Sequence, residues 1–265
     1  MDNELIKREN EIAETYWWFV GRRAILESVL RRFAKRSRVA VDVGCGTGRN
    51  MQLLSNYSDC VIGFDFSRVA VSLAASQGRR VACADCKVMP LADASAELLS
   101  ALDVLEHLDD DMRGLREFHR VLKSNGLLLL TVPAYRFLWS EHDEALSHRR
   151  RYVASELHVK LTCSGFRVLK RSYAVFFAFF PIVVYRLFRG LFPKDPLAPK
   201  ASHVILPAAL NNLLATLLKI EAWMMGAVNI PLGTSIIVLA QKVPDCETQT
   251  ANDRPSTSGP PCLVG

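Results

Sequence analysis

The chain lacks an uninterrupted apolar run long enough to cross a lipid bilayer, although half of its 265 residues are hydrophobic. A spanning helix needs about 20 consecutive apolar residues. Each of the three candidate runs is too short or is broken by proline, glycine or polar residues; they are residues 172–185, 201–218 and 222–240. The sequence therefore predicts no membrane-spanning helix.

The chain also lacks the features of a secreted protein stabilised by disulfides. Its seven cysteines are odd in number and scattered, and its first fourteen residues are polar and charged, unlike a secretory signal. These features predict a cytoplasmic setting. The net charge of +6 suits an anionic membrane surface, an anionic substrate or nucleic acid, and does not choose between them.

What the chain does have is an alternation of short apolar strands and helices. Runs such as VAVDV (39–43) and GLLLLTV (126–132) predict buried strands; further strands are predicted at 60–64, 81–84, 97–104, 166–173 and 234–240. Helical spacing fills most of the gaps between them. The pattern predicts the α/β class, with a Rossmann-like, doubly wound, mostly parallel sheet and an apolar helical insertion before the last strand.

This reading divides the chain into four parts. Residues 1–36 are an N-terminal helical cap, and residues 37–173 together with 231–243 are the main domain. Residues 174–230 are the apolar insertion, in which Arg186, Arg189, Lys194 and Lys200 punctuate long hydrophobic stretches. Residues 244–265 are rich in Pro, Ser, Thr and Gly, which predicts a disordered tail.

The strongest chemical signal is the segment VDVGCGTG at residues 41–48. Glycines directly after a strand allow a sharp turn and a close approach to a ligand. The spacing is G-x-G-x-G rather than the dinucleotide G-x-G-x-x-G, and Asp42 stands two residues ahead of the first glycine. A carboxylate there disfavours a pyrophosphate and favours a cofactor with an ammonium group, while Asp65, after the second strand, suits ribose hydroxyls.

These residues resemble the class I S-adenosylmethionine methyltransferases. The resemblance covers roughly residues 40–132 and rests on five segments in the right order, which are VDVGCGTG, VIGFD, ACADCKVMPL, ALDVLEHL and REFHRVLKSNGLLLLTVPA. It implies that S-adenosylmethionine is the cofactor and that the chain is an enzyme. The implied cofactor-binding residues are Asp42, Gly44, Cys45, Gly46 and Gly48 in the first segment, Asp65 and Phe66 after the second strand, and Asp85, Cys86 and Asp103 after the next two strands.

The candidate catalytic residues lie after the fourth and fifth predicted strands. An oxygen acceptor usually needs a base that titrates near neutral pH, such as histidine. The segments W-S-x-H-D and H-x-R-R-Y resemble a bacterial subgroup of these enzymes, and within them we predict His142 as the base, Asp143 as its orienting partner, and Arg150 or Arg151 for an anionic acceptor group. His107, after the fourth strand, is a second candidate that could equally brace its loop.

Two further features carry open alternatives. The aromatic residues 16–19 could close over the cofactor, because a sulfonium suits cation–π contact, or could serve packing alone. Cys83 and Cys86 have the spacing of half a zinc site, but no second pair accompanies them, so the sequence predicts no metal site.

The apolar insertion bears on the acceptor. It could form a hydrophobic acceptor pocket or lid, an interfacial hairpin on an anionic membrane, or a homodimer interface. The sequence therefore predicts a methyltransferase for a small or lipid-linked acceptor, with oxygen as the expected target atom and peripheral membrane contact at the inner face. Nucleic acid is disfavoured because the basic residues are dispersed. The alternative is a membrane-associated binding or scaffold protein that keeps the fold without turnover.

Overall fold

The computed structural model describes residues 11–12, 14–188 and 206–244. The first ten residues of the cap, residues 189–205 of the insertion and the predicted tail beyond Pro244 lie outside the described residues. No helix in the described part of the chain is both long and apolar enough to cross a membrane, in agreement with the sequence prediction.

Strands and helices alternate along the described chain. The strands are β1 (Ser37–Val43), β2 (Ser58–Asp65), β3 (Val81–Cys83), β4 (Ala96–Leu102), β5 (Leu122–Pro133), β6 (Phe166–Ala174) and β7 (Ser235–Lys242). The helices are α1 (Trp17–Phe33), α2 (Arg49–Ser55), α3 (Arg68–Ser76), α4 (Asp111–Val121), α5 (Glu141–Ala145), α6 (Ala154–Cys163), α7 (Phe176–Phe188) and α8 (Ala208–Ala227). Short 3-10 turns lie at Leu105–His107 and Arg136–Leu138.

The seven strands form one sheet in the order β3-β2-β1-β4-β5-β7-β6. Strands β1 to β5 pair in parallel, whereas β7 runs antiparallel to both β5 and β6. The chain winds outward from β1 through β2 to β3 and then returns to β4 on the other side. This reversal opens a crevice at the carboxyl ends of β1 and β4, and it confirms the predicted doubly wound, mostly parallel sheet.

Helices cover both faces of the sheet. On one face, side chains of α4 and α6 such as Leu115, Phe118 and Leu157 pack against the central strands. On the other face, α1, α2 and α8 form a second core, to which Leu26 and Leu218 belong. Both faces of the central strands are therefore buried, which explains their nearly continuous apolar sequences.

The helical cap and part of the apolar insertion pack against each other. A Cβ added at Gly21 of α1 would lie 2.2 Å from Leu218 Cδ1 of α8, so the two helices meet at a position that only glycine fits. The backbone N–H of Trp17 also donates to Asn211 Oδ1 at 2.9 Å. One face of α8 is thus buried inside the molecule. Leu213 and Trp223 of α8 remain more than half exposed, as do Phe180, Val184 and Tyr185 of α7.

Candidate active site

The loop after β1 turns on glycines in the left-handed region. The φ angle is +65° at Gly44, +53° at Gly46 and +80° at Gly48. A Cβ at Gly44 would also lie 2.5 Å from Val104 Cγ2 in the loop after β4. Backbone conformation and close packing therefore both require glycine at this position, as the turn in VDVGCGTG predicts.

Asp65, the last residue of β2, fastens this loop. Its Oδ2 accepts a hydrogen bond from the Gly46 N–H at 2.8 Å, and its Oδ1 accepts from the Ser67 N–H at 2.8 Å. A carboxylate oxygen has two lone pairs, so each oxygen can accept a further bond. Asp65 is thus held in one orientation and still has acceptor capacity for a pair of hydroxyl groups.

A cleft of about 1040 Å³ lies over the carboxyl ends of the strands, large enough for a cofactor and part of an acceptor. Eight of the ten predicted cofactor-binding residues line it, namely Gly44, Cys45, Gly46, Asp65, Phe66, Asp85, Cys86 and Asp103. His107 and His142 line it as well. Asp42, Gly48 and Asp143 are not in its lining, so any influence they have on a ligand is indirect.

Asp42 lies beneath the glycine loop and is 1% exposed. Ser100 Oγ donates to its Oδ1 at 2.6 Å, whereas its Oδ2 is buried without a hydrogen-bond partner among the described residues. Burial raises the pKa of Asp42 to about 7, and the bond from Ser100 offsets this only in part. A buried, incompletely satisfied carboxylate at this position favours a cation in the loop above it.

This raised pKa predicts a pH-dependent effect of Asp42→Asn on stability. With its pKa raised from 3.8 to about 7, the folded chain binds more protons than the unfolded chain between those values, so the contribution of Asp42 to stability falls as pH rises through that window. Asparagine has no charge to bury. We therefore expect the free energy of unfolding of the variant, minus that of wild type, to be about 1–3 kcal/mol more positive at pH 8 than at pH 5. Urea unfolding at the two pH values measures this difference, and an equal difference at both would contradict it.

Asp103, which follows β4, connects the cleft to α1. Arg22 of α1 forms a 2.8 Å ion pair with Asp103 Oδ2, and Thr131 Oγ1 donates to Asp103 Oδ1 at 2.8 Å. Asp103 has a φ of +56°, an uncommon conformation for a residue with a side chain. Because these contacts hold the strained residue at the cleft, Arg22 is a site residue that the sequence reading did not single out as such.

The aromatic residues 16–19 line the cleft beside Arg22. Trp17 and Trp18 meet edge to face with 6.0 Å between their ring centroids, and both also pack against the core under α1 and α8. These aromatic residues therefore both pack against the core and line the cleft. Contact with a bound cofactor remains a prediction.

The loop after β5 is organised around Asp143, which is fully buried. Arg151 donates to both carboxylate oxygens at 2.8 and 3.0 Å, and His148 Nδ1 lies 2.9 Å from Oδ1. Burial alone would raise the pKa of Asp143, but the bonds from His148 and Arg151 hold it well below its usual range. These bonds orient His148, whereas the sequence reading assigned Asp143 to His142.

The two arginines predicted for an anionic acceptor also hold this loop. Arg151 is 10% exposed and bound to Asp143, as described above. Arg150 donates to the carbonyl oxygens of Leu108 and Asp109 at 3.0 and 2.7 Å and lies 3.3 Å from Asp111 Oδ2. Both guanidinium groups therefore have structural partners, and a role in binding an acceptor remains a prediction.

Comparison with known proteins identifies the cleft-forming part of the chain. A family model described as a methyltransferase domain matches residues 41–130. Residues 41–130 form a methyltransferase domain. They contain β1 to β4, most of β5 and the glycine loop, so the resemblance seen in the sequence is confirmed where the cleft is built.

Curated relatives of the methyltransferase domain are named for the same cofactor. A probable S-adenosylmethionine-dependent methyltransferase of Mycobacterium tuberculosis is 33% identical over 159 residues, which is 58% of this chain and 56% of the relative. One of Mycolicibacterium smegmatis is 29% identical over 161 residues, 59% of this chain and 62% of the relative. The chain thus matches less than two thirds of the length of these relatives.

Solved structures agree on the fold. A methyltransferase from Archaeoglobus fulgidus described as SAM-dependent has a TM-score of 0.53 at 16% identity, covering 83% of this chain and 94% of that one. The [4+2]-cyclase SpnF has a TM-score of 0.55 at 21% identity, covering 83% and 80%. These similarities show the class I methyltransferase fold, which hosts more than one activity.

The residues of the cleft fit S-adenosylmethionine. The backbone at Gly44 leaves no room for a Cβ, Asp65 keeps free acceptor capacity, and the buried Asp42 carboxylate favours a positive charge nearby. The named relatives carry the same cofactor in their descriptions. The residues present at this cleft therefore fit S-adenosylmethionine as a cofactor.

Proposed function

We propose that the chain is an S-adenosylmethionine-dependent methyltransferase that methylates a small or lipid-linked acceptor at oxygen. The observation that carries the proposal is the continuity of one cleft from the glycine loop and Asp65 to His142. A cofactor held at the first end and an acceptor held at the second would meet inside the cleft. Methyl transfer needs mainly this alignment, together with the exclusion of water.

Different residues of the cleft hold the cofactor, accept the proton and exclude water. The glycine loop, Asp65 and Asp85 hold the cofactor, which when bound supplies an electrophilic methyl group on a sulfonium. His142 accepts the proton that the acceptor hydroxyl loses, so that the oxygen can form its new bond to carbon. The aromatic residues 16–19, which also line the cleft, exclude water from it.

An oxygen target has support from one relative. A malonyl-[acyl-carrier protein] O-methyltransferase of Coxiella burnetii is 32% identical over 166 residues, 60% of this chain and 58% of the relative. That protein is named for methyl transfer to oxygen. The presence of a histidine in the cleft, which could serve as a base, is consistent with the same target atom here.

A lipid-linked acceptor has support from α7. Val175, Ala178 and Ile182 line the cleft, while Phe180 and Tyr185 on the same segment are more than half exposed. An apolar chain could therefore follow α7 from the surface to the cleft. Such an acceptor fits a cytoplasmic protein with peripheral contact at the inner face of the membrane. A homodimer that covers α7 is the competing explanation of the same apolar surface.

A methyl-transfer screen tests the proposal. Purified chain is incubated with S-adenosylmethionine labelled in its methyl group, and with lipid and aqueous cell extracts in separate reactions. We expect label in the lipid fraction, in a product whose methyl group is released by chemistry that cleaves methyl esters or ethers. Label only in the aqueous fraction would contradict the lipid-linked acceptor. Cofactor binding without transfer to any fraction would favour the alternative, a binding or scaffold protein without turnover.

A further inference from the structure

Three potential metal ligands meet in the wall of the cleft. Glu106 and His107 lie on the 3-10 turn after β4, and His148 lies on the loop after α5. One ligand atom of each lies within 4.8 Å of the others, and all three residues line the cleft. The two imidazole rings meet edge to face, with 4.8 Å between their centroids.

Glu106 is fully buried, yet neither of its carboxylate oxygens has a hydrogen-bond partner among the described residues. Two backbone or side-chain donors would normally satisfy such a group, since an unpartnered buried carboxylate is costly. This side chain lines the cleft next to two imidazoles, so a positive charge placed between the three groups would satisfy it.

His148 is oriented as a metal ligand would be. Its Nδ1 lies 2.9 Å from Asp143 Oδ1, and Arg151 and Ser140 also donate hydrogen bonds to that carboxylate. An Nδ1–H donated to the carboxylate leaves the Nε2 lone pair for a cation. A histidine fixed by a buried carboxylate in this way is the usual outer-shell arrangement around a metal ligand.

We propose that Glu106, His107 and His148 bind a divalent first-row transition-metal ion. Two imidazoles and one carboxylate suit Zn²⁺, Mn²⁺, Fe²⁺ or Co²⁺, whereas Mg²⁺ and Ca²⁺ prefer oxygen ligands alone. Three protein ligands leave coordination positions open, and the site lies on the cleft. The sequence gives no sign of this site, because His148 follows His107 only after about forty residues and the three ligands follow no ligand-spacing motif.

The metal would give the cleft a function beyond alignment. With one carboxylate ligand the site carries a net charge of about +1, which would bind an acceptor oxygen and lower the pKa of a hydroxyl group. The proton released would pass to His142 or to water. This consequence depends on the proposed methyltransferase function, whereas metal binding itself does not.

Metal titration of the full chain, without S-adenosylmethionine, tests the site. The protein is stripped with EDTA and titrated with Co²⁺, Mn²⁺ and Mg²⁺; Zn²⁺ is avoided because free cysteines such as Cys60 and Cys83 would compete for it. We expect one equivalent of Co²⁺ to bind, with a visible absorption band typical of nitrogen and oxygen ligands. Mn²⁺ should bind as well, and Mg²⁺ at least about tenfold more weakly than Co²⁺.

Three variants assign the binding to these residues. His148→Ala and Glu106→Gln should each lower Co²⁺ affinity about 100-fold, while His158→Ala, an exposed histidine on α6, should leave it unchanged. Glu106→Gln preserves shape and removes a buried charge, so it decides the question if His148→Ala does not fold. Absence of stoichiometric binding by wild type, or equal binding by Glu106→Gln, would overturn the proposal. Cofactor titration of the same samples shows separately whether the methyltransferase proposal holds.

Discussion

Replacing His142 with alanine should lower kcat for methyl transfer by about 10²–10⁴ and leave cofactor affinity within about twofold of wild type. His142 lines the cleft away from the glycine loop, so its loss removes a proton acceptor rather than a cofactor contact. The measurement is the rate of label transfer under saturating cofactor and acceptor, with binding of S-adenosylmethionine measured separately by calorimetry.

The pH profile of kcat shows whether His142 acts as a base or only shapes the loop after β5. In wild type, kcat should fall at acid pH, because a protonated histidine cannot accept the proton that the acceptor hydroxyl loses. His142→Ala should lose this limb, while His158→Ala should keep both the rate and the profile. A variant with unchanged kcat and a raised KM would show that His142 only helps to bind the acceptor.

Replacing Asp65 with alanine should weaken binding of S-adenosylmethionine about 100-fold. The Asp65 carboxylate has a fixed orientation and can still accept hydrogen bonds from the ribose hydroxyl groups of a bound cofactor. Two such charge-assisted hydrogen bonds are worth about 3 kcal/mol or more. Some stability should be lost too, because the N–H groups of Gly46 and Ser67 lose their acceptors.

Asp59 offers a matched control for this variant. It lies near the start of the same strand and forms an exposed ion pair with Arg36, which is worth little in water. Asp59→Ala should bind the cofactor as wild type does. Equal affinities for Asp65→Ala and Asp59→Ala, measured on folded protein, would contradict the assignment of Asp65 to the ribose.

The sequence predicts well what depends on neighbouring residues. Each of the seven predicted strands is present, because a short β-branched or leucine-rich run bounded by turn residues has few alternatives. The glycines at 44, 46 and 48 all adopt the left-handed conformation that the predicted turn needs. The doubly wound, mostly parallel sheet also follows, since strands that alternate with helices favour parallel pairing.

Local sequence patterns do not predict contacts between distant parts of the chain. Arg22 reaches Asp103 across eighty-one positions, and no local pattern marks either residue as the partner of the other. Asp143 stands beside His142 in sequence, yet the described bonds join it to His148 and Arg151, because the loop folds back after α5. Nothing in the sequence marks Glu106, because a single glutamate after a strand does not reveal that its carboxylate is buried without a hydrogen-bond partner among the described residues.

The apolar side chains of the insertion could be buried by more than one partner. Its excess of apolar residues predicts a buried surface, but composition does not say what buries it. One face of α8 is buried within the chain, where Leu218 packs on Gly21 of α1. For α7 the exposed aromatic side chains leave the membrane, the acceptor and a second copy of the chain as competing partners.

Calorimetric titration of the folded chain with S-adenosylmethionine, and with NAD as a competitor, tests the central claim most directly. One equivalent of S-adenosylmethionine should bind wild type, with weaker binding by Asp65→Ala, and NAD should neither bind the cleft nor displace the first ligand. Saturable binding of NAD by a chain that takes up no S-adenosylmethionine would contradict the account.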